Sequence, residues 1–560
     1  MIIQSKLPDI ECPTHLTVWE WAFEDAKSSL LYNVAPEEIG GYADATTSQR
    51  LDFFQVKEHA THLCTALVKK YGLQPQDTMS LFSRNSIWYP VAMFATLRAG
   101  GTVNGASPAY GEAEMTSALK TAHTRFIMAA SSCIQVALAA AKAAGIPRDR
   151  IFLLEGRHDD LTTISELIDI GREYGRYGQS PIFRIPPGKT NDICGFLTFS
   201  SGTTGFPKAV MLSHKNAIAQ CIQLKAVALP EKKRQLACLP LFHISGLIRF
   251  VLWPVASNDE CVMLPQFTME SFLEAIAKYR ITDLSLVPSI VIRLLGDPVV
   301  DRYDLSSLRR LASGAAPLGA EVLERLRQKM PWTGFRQSYG LTESCCCVST
   351  HPPEYYDYQY GNNSGVLLGS TVVKVIDTIT GKELGIDETG EILVKGPQVG
   401  MGYLANPRET AETFGSDGFL HTGDVGKIDS QGFIHIVDRI KEMIKVKGQQ
   451  VAPADLEHLL IGHPSVADCA VIGVPDHYSA ERPKAFVVLK PGIEPTESLG
   501  HELMKYIKER RVRYKWVKEV EFISEIPKNP SGKILRRVLK ANKGAALGPV
   551  VKDAQDRARL

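Results

Sequence analysis

The sequence contains Leu197-Thr198-Phe199-Ser200-Ser201-Gly202-Thr203-Thr204-Gly205-Phe206-Pro207-Lys208, a polar loop between two apolar runs. The runs, residues 193–199 and 209–212, predict two strands joined by the loop. Glycine lets backbone N–H groups approach a ligand closely, so a loop of this composition can surround phosphate oxygens. It lacks the G-x-x-x-x-G-K-[ST] spacing of a Walker A loop. An ordinary Ser/Gly-rich turn has the same composition, and this stretch alone leaves both interpretations open.

Four further blocks follow in order along the chain. They are Gln337-Ser338-Tyr339-Gly340-Leu341-Thr342-Glu343, His421-Thr422-Gly423-Asp424, residues 438–453 beginning with Asp438-Arg439, and Pro530-Ser531-Gly532-Lys533. Together with residues 200–208 they resemble the signature motifs of AMP-forming adenylating enzymes, which include acyl- and aryl-CoA ligases, luciferases and adenylation domains. By pattern the chain most resembles 4-coumarate-CoA-ligase-like enzymes and medium-chain or aryl acyl-CoA ligases.

Length and composition are those of a soluble globular protein with two or more domains. The chain has 560 residues, of which 44% are hydrophobic and 22% are charged. The formal net charge of +2 provides no strongly basic surface, so no nucleic-acid partner is expected. No apolar run approaches the roughly 20 residues of a membrane-spanning helix, and residues 1–13 lack the apolar core of a secretory signal.

The 11 cysteines are scattered, and three of them are adjacent at positions 345–347. This spacing suits neither a disulfide framework nor a metal site. We therefore expect free thiols in a reducing compartment, with the three adjacent cysteines acting as small apolar side chains.

Helical and strand-like patterns alternate along the first part of the chain and predict an α/β fold with helix-covered sheets. Helices are predicted over 48–71, 87–98, 113–123, 131–144, 216–224 and 269–280, and strands over 125–129, 151–154, 235–241, 283–288 and 308–313. Short alternating strands with frequent glycine predict a small β-rich subdomain over 365–436. A smaller α+β unit follows, with helices at 454–461 and 502–508 and strands at 466–474, 484–490 and 519–523.

We predict a large N-terminal adenylation domain, residues 1–437, and a mobile C-terminal domain, residues 438–545, with the hinge that the resemblance implies at Asp438. Residues 544–560 are expected to be a frayed tail. Its last residues, Ala558-Arg559-Leu560, match the S-K-L peroxisomal address in residue type. In a eukaryote this predicts a peroxisomal protein with an import receptor as partner. If the ending is accidental, a cytoplasmic protein is expected.

The resemblance implies a reaction in two halves. A small-molecule carboxylate attacks the α-phosphate of ATP, giving an acyl-adenylate and pyrophosphate, and a thiol, usually that of coenzyme A, then displaces AMP. ATP, Mg²⁺ and coenzyme A are therefore expected. This chemistry requires donors for phosphate oxygens, a metal, a cation near the bridging oxygens and a dry pocket.

The resemblance also assigns the nucleotide site. Phosphates are expected at Ser200, Ser201, Gly202, Thr203, Thr204, Gly205 and Lys208, and the rest of the nucleotide at Gln337, Ser338, Tyr339, Gly340, Thr342, Asp424, Arg439 and Lys445. Tyr339 would stack on adenine and Thr342 would contact the α-phosphate. Asp424 would accept both ribose hydroxyls, with Arg439 as a charged donor. Alone, either charged residue is most often half of a surface ion pair.

Glu343 is the expected magnesium ligand. A carboxylate beside phosphates is repulsive unless a cation lies between them, and Mg²⁺ is the natural choice. Thr203 is a weaker candidate for a second ligand. The ordinary alternative for Glu343 is a solvated surface carboxylate.

Lys533 is expected to bridge the carboxylate and ATP during adenylation, where a positioned cation in a dry site contributes several kcal/mol. It lies about two hundred residues from Glu343 in sequence, so domain closure must bring the two together. A rotation would then withdraw Lys533. Lys441 and Lys445 would face the nucleotide, Lys447 and Gly448 would line the coenzyme A path, and Gln450 would assist thioester formation. Without the surrounding match, the three lysines at 441–447 would be a solvated basic face.

The acid pocket is predicted from residues that are small or apolar. The proposed walls are Ile244, Ser245, Gly314, Ala315, Ala316, Pro317, Leu318, Ser313, residues 337–340 and the cysteines at 345–347. No charge is expected among them, which favours a hydrophobic or aromatic acid. His243 is either a gate beside the carboxylate or a structural histidine. Amino-acid-activating relatives usually carry aspartate after the corresponding phenylalanine, so His243-Ile244 argues against an amino acid.

The acceptor and the activity have alternatives. No carrier-protein domain follows Lys533, which favours free coenzyme A over a carrier protein. A luciferase-type oxygenase would share all five blocks. A degenerate nucleotide-binding relative is the third alternative, and intact Glu343, Asp424 and Lys533 argue against it. The chain departs from its relatives at Ala209, usually glycine, and at residues 344–347, where glycine or alanine is usual, which leaves the substrate open.

Overall fold

The computed structural model describes residues 1–200, 208–447, 449–529, 532–541 and 547–553. These residues form a mixed α/β fold with a large N-terminal domain and a small C-terminal domain. Four sheets, here A to D, are present in the described part of the chain. No helix among these residues combines the length and the apolar character needed to cross a bilayer.

Sheets A and B form the centre of the large domain and are mostly parallel. The strands of sheet A, in spatial order, are Gly402–Tyr403, Lys208–Ser213, Cys194–Ser200, Thr102–Ala106, Thr78–Phe82, Thr124–Ala130 and Ile151–Glu155. Those of sheet B are Val366–Leu367, Ser349–Thr350, Gly334–Tyr339, Arg310–Ser313, Asp283–Leu286, Arg234–Ala237, Glu260–Met263, Gly41–Asp44 and Arg50–Asp52. Both sheets have antiparallel strands at an edge: Lys208–Ser213 and Gly402–Tyr403 in sheet A, and Ser349–Thr350 in sheet B.

Sheet C is the predicted β-rich subdomain, and sheet D belongs to the C-terminal domain. Sheet C is antiparallel and consists of Ile2–Gln4, Val372–Ile376, Gly390–Lys395, Leu420–Ile428 and Ile434–Arg439. Sheet D consists of Gln449–Val451, Ile444–Val446, Ala480–Leu489, Val466–Asp476, Glu519–Phe522 and Val551–Lys552.

Helices cover the faces of the sheets, as apolar strands buried on both faces require. The longer helices are Phe53–Lys69, Trp88–Arg98, Glu112–Thr121, Ile134–Ala144, Ile164–Glu173, His214–Ala226, Met269–Tyr279, Pro288–Gly296, Ala320–Lys329, Pro453–Ile461 and Glu497–Lys508. Shorter helices are Val18–Phe23, Ile244–Gly246, Trp253–Ser257, Pro407–Thr413 and Arg536–Lys540, and Leu247–Leu252 is a π-helix.

Side-chain caps explain where several helices begin. Ser213 caps His214–Ala226, as its position before the apolar run predicts. Its Oγ accepts from the Asn216 backbone N–H at 3.1 Å, and Asn216 Oδ1 accepts from the Ser213 backbone N–H. Asn216, on the same helix, also donates hydrogen bonds from Nδ2 to the carbonyl oxygens of Pro397 and Val399. These bonds connect the helix His214–Ala226 to the chain that runs from sheet C to the strand Gly402–Tyr403 of sheet A.

Several sequence predictions are wrong in detail. Residues 50–52, expected within the helix 48–71, form the strand Arg50–Asp52, and that helix begins at Phe53. The strand expected over 235–241 ends at Ala237, because the Asn85 side chain bonds the carbonyl oxygens of Ala237 and Leu239 in place of a neighbouring strand. The tail expected to fray is ordered in part, since Val551–Lys552 pairs with Glu519–Phe522. Residues 554–560, with the proposed peroxisomal address, lie outside the described residues.

Candidate active site

A cavity of about 480 Å³ opens where the edges of sheets A and B meet sheet C and the C-terminal domain. Parallel strands of sheet B end at this edge, which is where α/β sheets bind ligands. The predicted site residues that line it are Ser200, Lys208, His243, Ile244, Ser245, Gly314, Ala315, Ser338, Tyr339, Gly340, Thr342, Glu343, Arg439, Lys441 and Lys533. The structure thus brings described residues of all five sequence blocks together around one cavity.

The two ends of the predicted phosphate loop lie at the cavity wall. Ser200 and Lys208 are register partners at the end of an antiparallel pair in sheet A. The loop residues Ser201, Gly202, Thr203, Thr204 and Gly205 lie outside the described residues. The Lys208 ammonium is paired with the Glu409 carboxylate and lies 5.1 Å from the centre of the Tyr403 ring.

Asp424 and Arg439 meet across sheet C. They are directly opposite residues in adjacent antiparallel strands, and Arg439 Nε lies 3.2 Å from Asp424 Oδ1. The Tyr339 hydroxyl donates to Asp424 Oδ2 at 2.8 Å. Burial raises the pKa of the Asp424 carboxyl, and the charge of Arg439 and the Tyr339 bond oppose that rise.

Glu343 faces the cavity from the turn after Tyr339. Its Oε1 accepts from the Tyr403 hydroxyl at 2.9 Å, which leaves the second carboxylate oxygen for another partner. Magnesium keeps several waters and substrate oxygens and uses few protein carboxylates, so this donor suits it. Across the described part of the chain, no cluster of three or more His, Cys, Asp or Glu side chains forms a closed metal site.

Lys533 enters the cavity from the C-terminal domain. Its backbone exchanges hydrogen bonds with Asn529: the Lys533 N–H donates to Asn529 Oδ1 at 2.8 Å, and the Asn529 N–H donates to the Lys533 oxygen. Gly532 has a φ of +81°, and a Cβ there would lie 3.0 Å from Val287 in the large domain. Burial lowers the pKa of Lys533, and the positive charge of Arg439 adds to this shift.

His243 serves as both wall and cap. It precedes the helix Ile244–Gly246, and its Nδ1 lies 3.0 Å from Ser245 Oγ. Burial lowers the pKa of its imidazole to about 4, so the ring is neutral at neutral pH. His243 can therefore be both a structural cap and a gate beside the carboxylate.

Several predicted nucleotide and acid-pocket residues do not reach the cavity. The Gln337 side chain accepts from the Leu318 amide at 2.9 Å and donates to the Gly361 oxygen, so its contact with the nucleotide stays a prediction. Ala316, Pro317 and Leu318 are also absent from the lining, because Leu318 packs into the core and the Pro317 oxygen faces His458 of the C-terminal domain at 3.0 Å.

Lys445, Lys447 and Gln450 are exposed on the C-terminal domain, outside the cavity. Their predicted roles require the domain rotation that the resemblance implies, and these roles stay predictions. Gly448 lies outside the described residues.

The acid pocket contains a charge that sequence interpretation missed. Arg249 lines the cavity, and its Nη2 donates to Ser338 Oγ at 3.3 Å. The expectation of an uncharged pocket is therefore wrong. Arg249 follows Ser245 by four residues on the same helical stretch, a spacing that returns a side chain to one face and could have revealed it. Sequence analysis also missed Tyr403 and Glu409. Both lie in the segment 402–410, which none of the five blocks includes.

Sequence comparison finds long matches. The profile described as AMP-binding enzyme matches residues 37–404, and the one described as AMP-binding enzyme C-terminal domain matches residues 455–533. 4-Coumarate-CoA ligase 1 of Narcissus pseudonarcissus is 36% identical over 555 residues, covering 97% of each chain. Peroxisomal OPC-8:0-CoA ligase 1 of Arabidopsis thaliana is 35% identical over 502 residues, covering 89% of each chain.

Solved structures share the fold along nearly the whole chain. The anthranilate CoA ligase AuaEII, in complex with anthranoyl-AMP, has a TM-score of 0.84 and 24% identity, covering 98% of this chain and 99% of its own. ATP-bound MatB from Rhodopseudomonas palustris has a TM-score of 0.80 and 26% identity, covering 94% and 98%. Both have the arrangement of a large and a small domain described above.

Proposed function

This chain belongs to the AMP-binding enzyme family, and from that membership we propose that its cavity activates a carboxylic acid with ATP and transfers the acyl group to coenzyme A. The chain is an AMP-forming acid–thiol ligase, for which ATP and coenzyme A are co-substrates. Relatives named as CoA ligases match over nearly all of its length, so a role in loading a separate carrier protein is not favoured.

One observation supports the proposed site most directly. Lys533 of the small domain lines the same cavity as Tyr339 and Glu343 of the large domain. Arg439, next to the proposed hinge, lines it too, and Asp424 is bonded to Tyr339 and Arg439. Residues so far apart in sequence share a cavity only through the fold. We therefore assign the boundary between the moving parts to Asp438, with residues 1–437 and 438–545 as the two domains.

In the proposed first half-reaction, Asp424 accepts hydrogen bonds from the ribose hydroxyls, and Arg439 supplies a cation beside them. Tyr339 packs against adenine, and Thr342 donates to the α-phosphate. Lys533 lies between the acid and the α-phosphate, where its ammonium stabilises the negative charge that develops as the carboxylate oxygen attacks. His243, neutral and half-buried at the cavity wall, excludes water from the mixed anhydride that forms.

The proposal includes Mg²⁺ bound at Glu343, which would neutralise phosphate charge when present. Lys208 and the hydroxyl-rich loop would bind the β- and γ-phosphates, with Thr203 as a second metal ligand. In this arrangement Tyr403 orients the carboxylate of Glu343 and packs beneath Lys208, so one aromatic side chain supports both phosphate-binding groups.

The second half-reaction requires a different domain orientation. We propose that the small domain rotates at Asp438 and withdraws Lys533, so that the exposed groups Lys445, Lys447 and Gln450 reach the cavity, with Lys441 facing the nucleotide. Lys447 and Gly448 would then line the path of coenzyme A, and Gln450 would assist thiol attack.

The localisation is proposed as peroxisomal. One relative carries that location in its name, and Ala558-Arg559-Leu560 has the residue types of an import signal. The proposed partner is a peroxisomal import receptor. A fluorescent protein carrying the last ten residues, compared with one in which Leu560 is replaced by Asp, tests the signal: loss of punctate localisation only in the second supports it.

Incubation with ATP, Mg²⁺, coenzyme A and a panel of aromatic and aliphatic acids tests the function. We expect AMP, pyrophosphate and an acyl-CoA in equal amounts with at least one acid. Pyrophosphate exchange without coenzyme A consumption would instead favour a carrier-protein acceptor, and absence of AMP with every acid would contradict the proposal.

A further inference from the structure

Arg249 forms part of the cavity floor. It lies on the π-helix Leu247–Leu252 and lines both the main cavity and a smaller internal one of about 40 Å³ beneath it. Its neighbours on the helix, Ile248 and Phe250, are fully buried. The guanidinium therefore lies in the protein interior, and the surface that it keeps accessible faces the cavities.

No carboxylate among the described residues lies within ion-pair distance of Arg249. Its hydrogen-bond partners are neutral groups: the Ser338 hydroxyl, at 3.3 Å, and the Cys346 thiol. The thiols of Cys346 and Cys347 are near, but burial raises the pKa of both, that of Cys347 to about 12, so they remain neutral. Protein side chains thus leave the charge of Arg249 without a counter-ion.

Further positively charged side chains lie near Arg249 around the smaller cavity. Arg336 also lines the smaller cavity, where its guanidinium lies 4.7 Å from the centre of the Tyr356 ring and bonds the Tyr356 hydroxyl. The Asp283 carboxylate, on the same cavity, is already bound by Arg310 through bonds of 2.6 and 2.8 Å. The floor therefore has an excess of positive charge.

An arginine stays charged when buried, and an unpaired buried charge is costly. The planar guanidinium fits a carboxylate through two parallel hydrogen bonds. Apolar side chains, including Leu286, Ala312 and Ala315, line the cavity together with Arg249. The acid thus meets an apolar wall and a cationic floor.

We propose that the substrate is a dicarboxylic acid: one carboxylate is activated near Lys533, and the second, at the far end of an apolar body, pairs with Arg249. This inference rests on the proposed function, since it concerns the acid of the same reaction. It makes Arg249 the residue that selects the substrate. A purely hydrophobic acid would leave the guanidinium unpaired beside an apolar chain.

Matched pairs of substrates test the inference. Each pair is a dicarboxylic acid, aliphatic with six to twelve carbons or aromatic, and its monomethyl ester, with pyrophosphate release as the readout. For the wild type we expect kcat/KM to favour the diacid of the best pair by at least about 100-fold, because rejection of an analogue that leaves a buried polar group unpaired is strong. Arg249→Met should remove this preference, mainly by raising KM for the diacid.

Two further variants make the outcome independent of a folding defect. Arg249→Lys keeps a positive charge at this position and should retain part of the diacid preference that Arg249→Met loses. Arg172→Met removes an exposed arginine of the helix Ile164–Glu173 and should keep the preference unchanged. Stabilisation of each variant by ATP, measured as a thermal shift, reports that the protein is folded.

Equal use of diacid and ester by the wild type would overturn the inference, and so would a preference that survives in Arg249→Met. In both cases pyrophosphate is still released, so the proposed function stands. Absence of pyrophosphate with every acid would instead remove the proposed function and this inference together.

Discussion

Lys208 and Glu343, the cation and carboxylate proposed for the phosphates and the metal, share a support in Tyr403. The Tyr403 ring packs beneath Lys208, and its hydroxyl donates to Glu343. Glu409, from the helix Pro407–Thr413, pairs with Lys208. The short strand Gly402–Tyr403 and the helix after it therefore orient two oppositely charged groups at one end of the cavity.

Replacing Lys208 tests the phosphate assignment. In Lys208→Met we expect kcat/KM for ATP to fall by about 100-fold, because a cation in a dry site stabilises transferred charge. Glu409→Gln should lower it by about tenfold, because the lysine loses its orienting partner. Lys215→Met, on the neighbouring helix and outside the cavity, is the control and should behave as the wild type. Unchanged ATP kinetics in Lys208→Met would refute the assignment.

At the scale of elements, the turn after Tyr339 determines the shape of the site. Cys345 and Cys346 adopt φ values of 51° and 102°, which are rare for residues with a side chain. The turn closes tightly on Gly340, where an added Cβ would lie 1.7 Å from the Cys346 carbonyl oxygen. The Cys347 amide donates to Gln220 on the adjacent helix at 2.6 Å.

Gly340→Ala should therefore displace the turn that carries Thr342 and Glu343. We expect adenylation to fall by at least about 100-fold while most of the fold is retained, since positioning errors near 1 Å have costs of this order. Gly111→Ala is a matched control, because a Cβ at Gly111 meets no atom within 4 Å. Wild-type activity in Gly340→Ala would show that the turn adapts at no cost.

The sequence predicted most helices and strands because their apolar periodicity is local. The cap at Ser213 and the helix after it illustrate this. The strand that ends at Ala237 was overestimated, because a side chain distant in sequence, Asn85, takes its backbone bonds. The strand at Val551–Lys552 was missed because two residues with one apolar side chain carry no periodic signal.

Site residues, too, were predicted where the signal is local in sequence and missed where it depends on contacts distant in sequence. Motif residues such as Glu343, Arg439 and Lys533 were predicted because each lies in a recognisable block. Gln337 lies in such a block too, but its side chain bonds the Leu318 amide, a contact that the motif does not indicate. Arg249 was missed although its spacing from Ser245 places it on the cavity side of the helix. The sequence does not show that no described carboxylate pairs with it.

At the scale of the whole molecule, buried polar contacts within the small domain surround the proposed hinge. Asp438, the proposed hinge residue, accepts from the Ala454 amide of the small domain at 3.0 Å. Arg536 pairs with Glu442 at 3.0 Å and with Glu457 at 2.5 Å. Burial raises the pKa of Asp438 from 3.8 to about 6, although the charge of Arg536 opposes the rise.

The shift at Asp438 predicts a pH-dependent stability. The folded state holds this proton more tightly than the unfolded state, so the group's contribution decreases as pH rises through about 6. An asparagine side chain cannot titrate, so only the wild type loses this contribution as pH rises. Relative to the wild type, the free energy of unfolding of Asp438→Asn should be about 1 kcal/mol more favourable to the folded state at pH 8 than at pH 5. Chemical denaturation at both pH values measures this gain. An unchanged difference between the two proteins would mean that Asp438 titrates as an ordinary carboxyl.

The central claim is that the small domain delivers Lys533 to a cavity built by the large one, for adenylation alone. Assaying the two half-reactions of Lys533→Ala separately tests it most directly, with Lys528→Ala, five residues earlier and paired with Asp468, as the control. We predict that Lys533→Ala loses acyl-adenylate formation by at least about 1,000-fold, yet converts a supplied acyl-adenylate and coenzyme A to thioester at nearly the wild-type rate. Equal loss of both half-reactions, or of neither, would contradict the account.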